Sequence, residues 1–324
     1  MSRVNRPFVG IPSFLRARIA PDITQLDAAI AILGIPFDEG SPFMPGTRMA
    51  PRSLREHSLR FCSEHRGYYS PEAKREFLGE EVRGGLIVDA GDVDIHPTNV
   101  EKTFELITDA VKHILDGGAL PVILGGDHSI TYPVFRAFDG DIHVLHFDAH
   151  TDYGTLEQDM QYTNGHAFRH VVERAKASSL TQIGIRSLRH SAEIVEQVIE
   201  GGNRVIPMGE FRRIGPQGIG ALLPENARVY VSIDVDVLDM SLVPGCVSAE
   251  PDGMTYAELR DSLKTIAERY QVVGFDFVEV NPLLDVGSGV TSYLGAHVVI
   301  EFLGNICDQP RWRESRRARE GAAE

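Results

Sequence analysis

Asp148, His150 and Asp152 follow one another at intervals of two in HFDAHTDY (146 to 153), directly after the apolar run IHVLHF (142 to 147). The pattern recurs at two other places. GGDHS (125 to 129) puts His128 just past LPVILGG, and SIDVDVLD (232 to 239) puts Asp234 and Asp236 just past VYVSI. Residues two apart on an extended chain share a face, so each strand exit becomes a row of ligands. Four carboxylates and two imidazoles gathered at one place would repel and desolvate one another, and no Lys or Arg lies inside these motifs. Cations must supply the counter-charge. Oxygen donors with imidazole nitrogen and no thiolate suit Mn2+, Mg2+, Ni2+ or Zn2+, and six side chains with shared carboxylates suit two ions. Two ions roughly 3.5 Å apart can share a water, lower its pKa and present hydroxide as a nucleophile. A lone Asp after a strand is more often a helix N-cap than a ligand, and only the repetition lifts these above that reading.

Eight apolar runs supply the strands that must carry such rows: residues 29 to 35, 85 to 91, 120 to 126, 142 to 148, 181 to 186, 204 to 208, 229 to 237 and 271 to 280. Helical periodicity occupies the gaps at 100 to 115, 193 to 199 and 256 to 270. Strands alternating with helices predict a mostly parallel sheet covered on both faces. Ligands of such sheets collect at the carboxyl ends of the strands, where all these motifs fall. Gly125 and Gly126 remove side chains beside His128, allowing a tight turn or close approach to another strand.

No Ser-, Gly- or Pro-rich linker and no internal repeat divides the chain. The expected organisation is an extended arm over residues 1–30, one α/β domain over 31–307 and a basic tail over 308–324. With 324 residues, 43% of them hydrophobic, the chain can bury a large core. A net charge of −14 and a pI of about 5.3 argue against nucleic acid or an anionic membrane as partner, but not against a small cationic substrate. Cys62, Cys246 and Cys307 are too far apart for a disulfide framework. The start of the chain lacks the apolar core of a signal peptide, and no 18 consecutive residues are uninterruptedly apolar, so a soluble cytoplasmic protein is expected.

Through GGDHS, HFDAHTD, SIDVDVLD and GFDFVEVNP (274 to 282), together with GIPFDEGSPFMPGTRMAPRSLR (34 to 55), the sequence resembles the ureohydrolase family of arginase, agmatinase and guanidinobutyrase. The similarity runs over roughly residues 7 to 305, and the segment RPFVGIPSFLR (6 to 16) is closer to the agmatinase and guanidinobutyrase branch. The resemblance implies a three-layer αβα fold around a mostly parallel eight-stranded sheet. It also implies two divalent ions, usually Mn2+ and in some members Ni2+, and hydrolysis of a guanidinium to urea and an amine. His128, Asp148, Asp152 and Asp234 would then hold one ion and Asp148, His150, Asp234 and Asp236 the other, with Asp148 and Asp234 bridging. Glu279 would pair with the substrate's guanidinium, as a carboxylate suits a planar fork of N–H donors. Asp152 would accept the nucleophile's proton. Trimers or hexamers are implied.

Two stretches depart from the family pattern. Where agmatinases read close to Ser-His-Gly-Thr, this chain reads Tyr162-Thr163-Asn164-Gly165-His166, so Asn164 takes the place of a histidine that shuttles protons. An amide cannot do that, and His166 is the expected replacement as catalytic and substrate-binding residue beside Asn164. The usual GTGTPEPGG reads Gly245-Cys246-Val247-Ser248-Ala249-Glu250-Pro251-Asp252-Gly253, which reshapes the substrate's tail pocket and leaves Glu250 between a support for the site and a support for the loop. Agmatine, a guanidino acid and a small substituted guanidine or biguanide all remain open as substrates. The competing readings are a non-catalytic partner subunit in a hetero-oligomer with a homologue, and a dinuclear phosphoesterase, whose Asn-His ligand pair is missing.

Overall fold

The computed structural model describes residues 11–61, 66–156 and 160–320, with side chains through residue 316. The first ten residues of the expected arm, Cys62 and the last four residues of the tail lie outside the described residues. Nine strands form the sheet: β1 (Arg18–Ile19), β2 (Ile30–Gly34), β3 (Ile87–Asp92), β4 (Leu120–Leu124), β5 (His143–Phe147), β6 (Ser179–Ile185), β7 (Arg204–Pro207), β8 (Arg228–Asp234) and β9 (Gln271–Val278). The longer helices are α1 (Ala50–Ser58), α2 (Val100–Asp116), α3 (Ala167–Glu173), α4 (Ala192–Glu200), α5 (Met208–Gly218), α6 (Tyr256–Arg269), α7 (Val290–Cys307) and α8 (Pro310–Glu320).

The sheet runs β1-β3-β2-β4-β9-β8-β5-β6-β7, and all of its pairings are parallel. The eight apolar runs are eight of these strands. The ninth, β1, left no trace in the hydrophobic pattern because its two residues are both exposed. It is held by backbone pairing to β3 and, just before it, by the Phe14 N–H donating to Asp89 at 2.7 Å.

Alternate residues of each strand feed two separate cores, one on each face. Ile32, Val122, Leu145, Ile233 and Phe277 pack with the buried sides of α1, α5, α6 and α7. Leu33, Ile123, Val144, Tyr230 and Val278 pack with α2, α3 and α4. That makes three layers. In α2 the buried Phe104, Ile107, Val111 and Ile114 follow helical spacing, and Asn99 caps the first turn by accepting from the Lys102 N–H. α7 is largely apolar, with mean hydropathy 1.2, and packs between α1 and α6 with 67% of its residues buried. It is a core helix, and its lack of amphipathic period kept it out of the sequence reading.

Register decides where chemistry can gather. Leu124 pairs with Phe277, Phe277 with Ile233, and Ile233 with Phe147, so the four central strands β4, β9, β8 and β5 end level. The chain reverses direction across the sheet here. After β4 it runs through β5, β6 and β7 toward one edge, then returns through β8 and β9 to fill the gap beside β4, which is the crevice where open parallel sheets bind ligands.

Candidate metal centre

His128 leaves β4 through Gly125 and Gly126. A Cβ on Gly126 would lie 2.1 Å from the Phe37 carbonyl oxygen, so only glycine lets this turn approach the exit of β2. The Asp127 carboxylate then accepts from the N–H groups of Ser129 at 2.9 Å and Gly40 at 2.7 Å, which fixes the turn and aims His128 inward. Asp148, His150 and Asp152 follow β5, Asp234 ends β8 and Asp236 comes two residues later. Asp234 caps its own turn by accepting from the Asp236 N–H at 2.8 Å.

These six side chains converge. His128 Nδ1 lies 3.0 Å from Asp148, 3.1 Å from Asp152 and 3.1 Å from Asp234. His150 Nδ1 lies 2.9 Å from Asp236 and 3.3 Å from the other oxygen of Asp148. Asp148 therefore faces both imidazoles, one with each oxygen. Two donor groups result, His128 with Asp148, Asp152 and Asp234, and His150 with Asp148 and Asp236. His128, Asp148, Asp234 and Asp236 are all at most 3% exposed.

The electrostatics record what this packing costs. Burial first, then Asp236 and Asp148, pushes the Asp234 carboxyl well above the usual carboxylate range. Burial and the neighbouring Asp148 raise Asp152 to about 6. Burial opposes a charge on the imidazoles, yet the carboxylates around them hold His128 well above an ordinary histidine and push His150 up to about 12. Protonated imidazole is a poor substitute for a metal ion here, because it neutralises one carboxylate while giving up the lone pair that could ligate. Buried oxygen and imidazole donors in excess of nearby cations are a set that divalent cations fit. Cys246 approaches Asp234 and Asp236 within the same cluster, but burial and those carboxylates push its thiol well above the usual range, so it offers S–H rather than thiolate.

Glu279 follows β9 in the left-handed region at φ 64°, and Asp152 has φ 45°. Such conformations are rare away from glycine, and both fall at this site. Glu279 Oε1 accepts from the His128 N–H at 2.8 Å and from Asn164 Nδ2 at 3.2 Å. Glu279, Asn164, Asp152, Asp234, Asp236 and His150 all line one cleft of about 220 Å³, together with Tyr153, Arg189, His190 and Ser248.

The Arginase family profile matches residues 28–304. The chain belongs to the arginase family. Among its relatives, the guanidinopropionase of Pseudomonas aeruginosa is 34% identical, with 91% of this chain and 92% of that one covered. The mitochondrial agmatinase of Gallus gallus is 32% identical, with 93% and 86% covered. Among solved structures, formimidoylglutamase of Bacillus subtilis superposes with a TM-score of 0.81 at 30% identity, covering 93% of each chain. Proclavaminate amidino hydrolase of Streptomyces clavuligerus gives 0.82 at 28% identity, covering 92% and 98%. Arginase-family enzymes hydrolyse guanidino or amidino compounds at a dinuclear manganese centre, and this chain carries a His and Asp cluster able to hold metal.

Against that family frame one expectation needs correction. His166 does not take the shuttle position. Its ring is drawn into its own loop, with Nδ1 2.6 Å from Thr163 Oγ1 and Nε2 3.1 Å from the Thr155 carbonyl, and it packs against Gly154. Asn164 and Gly165 reach the cleft instead. Counting residues along the loop placed His166 near the site, but the side chain is needed to hold the loop's two arms together.

Several participants went unread. His146, on the same face of β5 as Asp148, contacts its carboxylate through Nε2 at 2.7 Å and stacks on Phe168 with ring centroids 3.6 Å apart. Period-two spacing would have found it, since 146, 148, 150 and 152 form one series. Behind His128, Nε2 is 2.9 Å from Ser232 Oγ, which donates to Asp276 at 2.6 Å; Asp276 also accepts from Thr131 and Tyr230. This buried network fixes the ring so that Nδ1 faces the carboxylates. Glu250 accepts from Ser187 Oγ at 2.7 Å and stands 3.4 Å from His150 Nε2.

Proposed function

We propose that the chain is a metal-dependent ureohydrolase that cleaves a guanidino compound to urea and an amine. The convergence of His128, Asp148, His150, Asp152, Asp234 and Asp236 at level strand ends carries this reading. The two donor groups, with Asp148 common to both, are the residues that would hold two ions, Mn2+ as in the family or Ni2+. Bound ions would supply an activated water and positive charge against the developing negative charge of the reaction.

The remaining work falls to the chain's own side chains. Glu279 accepts the substrate's N–H donors; its contacts to His128 and Asn164 both fall on Oε1, so Oε2 is the oxygen turned to a ligand. Asn164 fixes Glu279 and can itself accept from a guanidinium through its amide oxygen. Asp152 reaches His128 and also lines the cleft, so the water's proton is passed to it and returned to the departing amine. Walls formed by Tyr153, Ser248 and Ile194 bound the substrate's tail. The relatives named for guanidinopropionate and agmatine support a linear guanidino compound.

The test is urea release from a panel of guanidino acids, guanidino amines and alkylguanidines, run on protein loaded separately with Mn2+ and Ni2+. Release from at least one compound is expected, and silence across the whole panel with both ions contradicts the reading.

A further inference from the structure

Among the described residues that line the cleft there is one permanently charged cation, Arg189, and the reaction assigned above has no use for it. It stands on the loop that joins β6 to α4. The same loop begins with Arg186, which is fully committed, donating to the carbonyl oxygens of Pro251 at 2.9 Å, Asp236 at 2.7 Å and Glu250 at 2.9 Å and so stapling the segment after β8 in place. Arg189 is committed to nothing comparable. Its side chain is 61% exposed, and its acceptors among the described residues are Glu250 Oε1 at 3.4 Å and the Nε2 of His150.

Neither acceptor can satisfy it. Glu250 Oε1 already accepts from Ser187 at 2.7 Å, and 3.4 Å is long for a charge-assisted bond. The Nε2 of His150 offers at most one acceptor to a guanidinium that carries five N–H donors. Arg189 thus keeps most of its five N–H donors for whatever enters the cleft, in a planar fork that matches a carboxylate.

The polarity of the cleft gives that fork a direction. The deeply buried lining residues are acids, Asp234, Asp236 and Glu279, with the half-buried Asp152 beside them, and the guanidinium end of a substrate belongs there. Arg189 is the exposed member of the lining, beside the half-buried Ser248, so a tail that reaches toward solvent on this side passes it. A guanidino amine would carry its ammonium toward Arg189 and be repelled, whereas an acid would find its partner. The overall charge of −14 gives such an acid no help at long range, so a local counter-charge is needed to retain it.

We propose that Arg189 reads the substrate's tail as a carboxylate, which makes linear guanidino acids, rather than guanidino amines, the substrates of this cleft. The inference rests on the ureohydrolase reading and names its substrate class. Steady-state urea release by the metal-loaded protein tests it, with 3-guanidinopropionate and 4-guanidinobutyrate set against agmatine and neutral propylguanidine, in the wild type and in Arg189→Gln, Arg189→Lys and Arg189→Glu. The wild type should favour the acids. The ratio of kcat/KM for acid over propylguanidine should fall roughly tenfold in Arg189→Gln, as expected for one partly exposed charge-assisted contact, mainly through KM. Arg189→Lys should recover part of that ratio, and Arg189→Glu should shift preference toward agmatine. A wild type indifferent to tail charge, or a ratio unmoved by Arg189→Gln, overturns the assignment while leaving the hydrolase intact. No urea from any of the four compounds overturns the assignment, and silence across the wider panel with both ions overturns the hydrolase reading as well.

Discussion

Glu279 carries more of the site than any other single carboxylate outside the metal cluster. Its left-handed backbone, its bond to the His128 N–H and its bond to Asn164 tie the substrate end of the cleft to the metal end. Glu279→Gln keeps the shape and removes the charge that pairs with a guanidinium. Turnover should fall by roughly 10- to 100-fold in kcat/KM, the worth of one buried charge-assisted pair, with metal content per chain unchanged. Activity equal to the wild type would remove Glu279 from substrate recognition. At this scale the sequence was informative where chemistry follows period two. Asp148, His150, Asp234 and Asp236 could be read because each comes at or just after the end of an apolar run. His146 was passed over because it lies inside such a run, and Arg189 because an exposed loop residue carries no pattern. His166 was misplaced because loop geometry is set by contacts such as those to Thr163 and Thr155, which residue counting does not see.

Among the elements, the loop between β2 and α1 supports the centre without contributing a ligand. Asp38, 2% exposed, accepts from the Gly46 N–H at 2.6 Å and from Arg48, which folds the loop back on itself. The folded loop offers the Gly40 N–H to Asp127 and the Gly40 carbonyl to the Asn164 N–H at 3.0 Å, so it steadies both sides of the cleft. Burial alone would raise the Asp38 carboxyl, but the Arg48 and Gly46 bonds outweigh it and hold the pKa below the usual value. A depressed carboxylate stabilises the fold above its unfolded pKa of about 3.9, and that contribution is lost as pH falls through the lower folded value. The melting temperature of the wild type should therefore drop more steeply below pH 4 than that of Asp38→Asn. Parallel curves for the two proteins would show that Asp38 is not linked to folding in this way. The strands were legible because a parallel sheet buries whole apolar runs, and α2 and α6 because one face of each is apolar. β1 and α7 were not: the first is too short and exposed to leave a hydrophobic signal, and the second is so largely buried that its apolar residues mark no one face.

For the molecule as a whole, the acidic surplus and the cluster of buried carboxylates belong together. A fold that buries Asp148, Asp234 and Asp236, with the half-buried Asp152, around two imidazoles pays heavily in desolvation unless divalent cations enter, and the arginase family uses a dinuclear manganese centre. The most direct test is metal content per chain, measured by mass spectrometry after purification with Mn2+ or Ni2+ and exhaustive dialysis, on the wild type and on Asp148→Ala. Close to two ions per chain in the wild type and well below one in the variant are expected, because both donor groups draw on Asp148. A wild type that retains no ion, or a variant that keeps two, would contradict the account.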